Sequence, residues 1–265
     1  MPRRRIILVP PSEGKALGGE GPPWEEAEGA TEHPLHAHRR TAIDALTAAL
    51  GHELADRAAA ATVLGVKGEA LDRALDADAD LDAAATLPAI ERYDGVLYQH
   101  LDAASFDART RARLVRSVRI LSGLWGVLRP DEAIPDYRLK MGAALPGLGK
   151  LSTWWRRPVS EHLAAEIRSA EVWNLLPQEH AAAVRLPEGA AVLSATFLRP
   201  GRGGSLVAVS HWNKALKGAL VAHLLANPSA VAEDLVGWEH PTGYVLDPAS
   251  LRGAGPRELR FVARA

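Results

Sequence analysis

The chain has 265 residues, 47% hydrophobic and 24% charged, with a net charge of −1 and no cysteine. That length and apolar content can bury a sizeable core in one domain spanning residues 1–265 without a covalent staple, and the missing cysteines exclude thiolate nucleophiles and iron–sulfur ligation by the chain itself. No apolar run is long enough to span a membrane, and Met1-Pro2-Arg3-Arg4-Arg5 leads into a short strand instead of a signal-peptide apolar region, so a cytoplasmic protein with no membrane partner is expected.

Ile6 to Val9 is a short apolar run between arginines and Pro10-Pro11, which predicts a buried strand ending in a rigid loop. The long irregular segment through Gly14, Gly18, Gly19, Gly21, Pro22 and Pro23 predicts a functional or mobile loop. From Thr41 to Ala61, Ile43, Leu46, Leu50 and Leu54 recur at helical spacing, with a break expected near Gly51. Glu69–Leu81 and Pro88–Gln99 read as helical. Asp107–Ser117 reads as a helix with Leu114 and Val115 inward and its arginines outward, feeding a bend at Gly123 to Gly126.

Leu151–Ala170 predicts a further helix carrying Trp154, Trp155, Leu163 and Ile167. Val172–Leu175 and Ala191–Leu198 read as strands, the second turning at Pro200 to Gly204 into Leu206–Val209 as a hairpin with a basic tip. His211–Ala226 predicts a helix with Leu216, Leu220 and Leu224 on its buried stripe, closed by Asn227-Pro228, and Glu258–Val262 supplies a last strand. Internal repeats, heptads and an interdomain linker are not evident.

The near-zero net charge hides segregation along the chain. Residues 66–91 hold seven acids against Lys67 and Arg73, whereas residues 105–160 hold eleven bases against four acids. Arg109, Arg111, Arg113, Arg116 and Arg119 lie in one short run, a footprint that suits a phosphate-binding surface or a solvated helix face.

Several side chains suit an anion. Ser12 and Lys15 follow the first strand, where open α/β sheets place ligand groups, although Pro-Pro-Ser-Glu-Gly-Lys lacks the spacing of a nucleotide P-loop. Arg138, beside Tyr137 in an expected strand, is either a buried structural partner or an anion clamp, since its planar donor fork matches phosphate or carboxylate. Lys214 and Lys217 share one face near a helix N-terminus, where negative charge is favoured. Gly123 and Gly126 permit a tight turn whose amides can hold a phosphate, with Arg129 just beyond. Trp125 and Trp212 are the two tryptophans placed for base stacking. His33, His36 and His38 crowd one expected loop without an ordered scaffold, which favours surface groups over a metal site. No cofactor pattern and no Ser-His-Asp, paired-carboxylate or HExxH arrangement stands out.

The segments Leu8 to Lys15, Tyr93 to Tyr98, Ile120 to Pro130 (ILSGLWGVLRP), Asp136 to Gly142 (DYRLKMG), Trp154-Trp155, Asn174-Leu175, Ser210 to Gly218 and Gly243-Tyr244 together resemble, in order, the bacterial peroxide stress protein YaaA family. The resemblance implies a single α/β domain of unusual mixed-sheet topology, with a basic cleft and a helix-hairpin-helix element at the glycine bend. It also implies a role in limiting peroxide and iron damage. On that basis the leading expectation is a DNA-binding protein that holds duplex or distorted DNA with little sequence preference, through Gly123, Gly126, Arg129, Arg138, Lys214 and Lys217. The competing expectation is an enzyme whose cleft takes a small anionic or nucleoside-like metabolite, with Ser12, Lys15, Tyr98, Arg138 and Lys214 converging on it.

Overall fold

A computed structural model describes residues 4–53, 57–202, 205–209, 213–252 and 255–264. β1 (Arg4–Val9) is followed by helices α1 (His36–Glu53), α2 (Arg57–Leu64) and α3 (Glu69–Asp78). β2 (Leu87–Pro88), α4 (Ala89–Arg92), α5 (Val96–Leu101) and α6 (Ala108–Ser117) lead to β3 (Val118–Ser122), β4 (Gly126–Leu128) and β5 (Ala133–Ile134). Next come β6 (Ala144–Leu145), β7 (Gly149–Lys150), α7 (Leu151–Trp154), α8 (Arg156–Arg168), β8 (Ala170–Asn174) and α9 (Gln178–Ala181). The chain continues through β9 (Ala191–Pro200), β10 (Leu206–Ala208), α10 (Asn213–Ala226), β11 (Tyr244–Leu246) and β12 (Arg257–Ala263).

The main sheet runs β11-β12-β9-β8-β1-β3-β4, with β10 paired to β9. Its centre, β12-β9-β8-β1-β3, is parallel, and β4 and β11 add antiparallel edges. Parallel strands need crossover helices, which cover the sheet and exclude water from its centre. The apolar run Ile6-Ile7-Leu8-Val9 is accordingly buried along its whole length, as are Val118 to Ser122. The fold is therefore a single α/β domain with a mixed sheet.

The connectivity matters for function. From β1 the next parallel strand, β3, lies to one side, whereas the chain after β3 crosses to β8 on the other side and continues away to β9. Loops leaving the carboxyl ends of β1 and β8 thus diverge and leave a crevice between them, the usual ligand position in open α/β sheets.

Two expectations change at this level. The glycine bend joins two strands, β3 and β4, paired antiparallel from Ile120↔Leu128 to Ser122↔Gly126, so it is a β-hairpin and not a turn between helices. Arg138 lies in an irregular stretch between β5 and β6, so strand alternation does not govern its direction. α1 ends at Glu53, two residues past Gly51, α2 starts at Arg57, and Pro88–Gln99 holds α4 and most of α5.

Candidate anion site at the sheet switch point

The site grows from one hydrogen-bonded junction. Asp94 N–H donates to the Gly14 carbonyl at 3.0 Å and Ala16 N–H to the Arg92 carbonyl at 2.8 Å, so Lys15 bridges to Tyr93 as in an antiparallel pair. The fully buried Arg92 guanidinium fixes the following turn by donating to the carbonyls of Ala16, Gly18 (2.7 Å), Ala85 (3.2 Å) and Ile134 (3.3 Å). Tyr98 Oη donates to the Pro10 carbonyl at 2.9 Å. A loop that could have been mobile is therefore held from both ends.

Above this junction is a narrow cavity of about 120 Å³ lined by Ser12, Glu13, Lys15, Arg138, Lys140, Glu179, His180 and Lys214, among others. It shares Glu13, Lys15, Tyr137 and Arg138 with a wider concavity of about 660 Å³ that extends to Arg73 and Asp76 on α3. Ser12 and Lys15 come from the loop after β1, and Glu179 and His180 from the segment after β8, which puts the cavity in the switch-point crevice.

Charges here are mixed. Arg138 Nη2 donates to Glu13 Oε2 at 2.7 Å, and Lys140 Nζ lies 3.3 Å from Glu13 Oε1. Burial resists ionising Glu13, but the Arg138 and Lys140 charges hold its carboxyl below its usual range. The Arg138 amide donates to Asp78 Oδ1 at 2.8 Å. Asp78 is 1% exposed, and burial pushes its carboxyl up to about 8 despite that hydrogen bond and the nearby Lys15. Lys15 Nζ sits 4.2 Å from the Tyr137 ring centroid and 5.8 Å from that of Tyr93. Burial pulls its ammonium down to about 8, against the attraction of Asp136, Asp78 and Glu13. His180 is lowered to about 4 by burial and by Lys214.

Beneath Lys15 runs a chain of hydroxyls. Ser122 Oγ accepts from the Leu124 and Trp125 amides, each at 3.2 Å, which leaves its proton for Tyr137 Oη at 2.7 Å; Tyr137 in turn donates to Tyr93 Oη at 2.7 Å. Burial raises both phenols, Tyr137 to about 12, so they stay protonated at neutral pH.

The sequence-predicted residues divide. Ser12, Lys15, Arg138 and Lys214 line the narrow cavity. Tyr98 and Lys217 stand behind it, Tyr98 on Pro10 and Lys217 donating to the Leu175 carbonyl at 2.9 Å just past β8. Gly123, Gly126 and Trp125 are buried, which withdraws the bend from any phosphate and Trp125 from base stacking. A Cβ on Gly123 would lie 2.7 Å from the Lys140 backbone, and Gly126, at φ +71°, faces the Trp155 ring, so these glycines serve packing of the Asp136–Gly142 segment and α7. Arg129 is exposed, pairs with Asp131 at 2.8 Å, and is not in the cavity. Trp212 lies outside the described residues.

Among the described residues no three His, Asp or Glu side chains cluster as a metal site. His33 lies 3.9 Å from Glu132, His36 lies 3.0 Å from Glu25, and His38 packs near Trp154. Glu13, Asp78, Tyr93, Ser122, Tyr137, Lys140, Glu179 and His180 were not singled out from the sequence. Asp78 left one trace: it continues the buried helical stripe Leu71–Ala74.

A family model described as peroxide stress protein YaaA matches residues 6–250. The chain belongs to the peroxide stress protein YaaA family. A UPF0246 protein of Streptomyces coelicolor is 38% identical over 259 residues, covering 96% of each chain. A UPF0246 protein of Corynebacterium glutamicum is 33% identical over 91% of this chain and 94% of its own. One from Ruegeria is 36% identical over 161 residues, 58% of this chain and 64% of its own. Within this YaaA-family chain, four family-like segments meet at one place: Leu8 to Lys15, Tyr93 to Tyr98, Ser122 at the bend, and Asp136 to Gly142. Among the described residues, no helix is long and apolar enough to cross a membrane.

Proposed function

We propose that the protein serves the peroxide stress response by binding, and acting as an enzyme on, a small anionic metabolite in the switch-point cavity. One observation carries this reading. Two buried nitrogens belonging to cavity-lining residues, Arg138 Nε and His180 Nδ1, have no hydrogen-bond partner among the described residues, and unpaired buried polar atoms are costly enough that native proteins rarely keep them without a use. Beside them stand the ammonium groups of Lys15, Lys140 and Lys214. Glu13, Asp136 and Glu179 nearly balance these cations, which suits one bound anion better than a run of phosphates. The test is calorimetric titration with phosphate, oxalate and nucleoside monophosphates. Binding of one equivalent to the wild type and loss in Arg138→Ala and Lys214→Ala at near-native melting support the reading; undiminished binding in both variants removes it.

A second reading keeps DNA as partner but moves the contact. At the opposite end of the strands, where β1 and β3 begin, a concavity of about 920 Å³ is lined by Arg4, Arg5, Arg109, Arg113, Arg116, Arg119 and Arg129 against Glu166 alone. Such a surface fits sequence-tolerant contact with a phosphate backbone. Salt-dependent gel shifts that respond to Arg109 and Arg116, and not to Arg138, would support it.

A further inference from the structure

We propose that Lys15 is an amine nucleophile that condenses with the carbonyl of a small aldehyde or ketone carrying a carboxylate or phosphate, the anionic end being held by Arg138 and Lys214. This rests on the small-anion reading of the cavity given above. The lysines of the region are not equivalent. Lys140 pairs with Glu13, Lys217 is spent on the Leu175 carbonyl, and Lys214 is exposed. Lys15 has a single long hydrogen bond, 3.3 Å to the Ser12 carbonyl, and no carboxylate within ion-pair distance among the described residues. Its Nζ rests on the Tyr137 face, and the residue lines both the narrow cavity and the wider concavity, so a reactant entering either meets it.

Position and basicity agree. The groups that act on Nζ are Asp136 and Arg138 from the segment before β6, Asp78 from the end of α3, Glu13 from its own loop, and the rings of Tyr93 and Tyr137. Burial is the largest influence and brings the ammonium to about 8, so roughly a tenth is neutral amine at pH 7, the form with a free lone pair. Nζ bonds to the carbonyl carbon while the C=O π pair moves to oxygen. The carbinolamine then breaks its C–O bond, and the oxygen leaves as water carrying both former amine protons. The product is an imine, formed with no change of oxidation state.

The test uses the full-length protein with cyanoborohydride and three probes: glyoxylate, glycolaldehyde phosphate and uncharged glycolaldehyde. Peptide mass mapping should place one reduced adduct on Lys15, formed roughly tenfold faster with the charged probes than with glycolaldehyde. Whichever charged probe reacts faster identifies carboxylate or phosphate as the anchor. The rate should rise with pH and level off above about 8, and Lys15→Arg should abolish the adduct. Phosphate binding in the wild type without a Lys15 adduct overturns the nucleophile and leaves the cavity reading intact. Adducts spread evenly over Lys140 and Lys214, or equal rates with uncharged glycolaldehyde, also overturn it. Absence of both phosphate binding and adduct removes the cavity reading with it.

Discussion

Glu13 places its carboxylate on the Arg138 guanidinium at 2.7 Å, where a bound anion would sit. Its second oxygen faces Lys140 at 3.3 Å, so one residue of the β1 loop occupies two of the cations of the cavity. An incoming ligand must displace or share that carboxylate. Glu13→Gln should therefore raise affinity for phosphate or oxalate, by up to about fivefold, because its side chain is 57% exposed and such pairs contribute about 1 kcal/mol or less. Titration calorimetry checks this; weaker binding in the variant would show that Glu13 supports the ligand instead of competing with it.

Asp78 makes stability depend on pH with a definite sign. Its carboxyl titrates near 8 in the folded chain, far above its ordinary value, so the folded state holds a proton that the unfolded state has released. The contribution is fully present below about pH 4 and is lost as pH rises towards 8. Asp78→Asn, which keeps an acceptor for the Arg138 amide, should flatten the dependence of Tm across that window and gain most near pH 8. An equal change in Tm at pH 5 and pH 8 would contradict this.

Two glycines should respond in opposite directions to alanine. Gly218 in α10 lies against the Leu97 carbonyl of α5, and a Cβ there would collide with backbone, so Gly218→Ala should cost about 1–3 kcal/mol. Gly51 is helical with open space around its Cβ position, so Gly51→Ala should stabilise by about 0.5–1 kcal/mol. Urea unfolding of both variants tests the α5–α10 contact directly.

Tyr98 separates scaffold from site. Tyr98→Phe deletes the hydrogen bond to the Pro10 carbonyl and should cost about 1–2 kcal/mol, because the carbonyl loses a buried partner. Anion affinity should change little, since Tyr98 does not line the narrow cavity. Selective loss of binding with unchanged melting would instead return Tyr98 to the ligand.

Local and periodic features were legible in the sequence. β1 announced itself because a parallel strand covered on both faces is a continuous apolar run, and α10 because Leu216, Leu220 and Leu224 keep one buried stripe. The glycine bend misled for a physical reason: Gly123 and Gly126 admit the Lys140–Met141 backbone and the Trp155 ring, and a glycine that admits backbone looks in sequence like one that admits phosphate. Arg138 was visible as a cation, but its direction depends on Glu13 and Asp78, 125 and 60 residues away. Tyr137 and Ser122 read as ordinary core positions, because the hydroxyl chain that joins them to Tyr93 exists only after β3 and the Asp136–Gly142 segment pack together. Asp78 was hidden in an acidic run that resembles a solvated face, with only its place on the Leu71–Ala74 stripe to mark it.

The most direct measurement is a crystal structure of the protein soaked with oxalate or phosphate, paired with the same soak of Arg138→Ala. The expected result is one anion in the switch-point cavity, contacting Arg138 and Lys214 with the Glu13 carboxylate displaced, and no anion there in the variant. An empty cavity with anions bound only among Arg109, Arg116 and Arg129 at the opposite end of the strands would contradict the small-anion function and leave that arginine surface as the functional face.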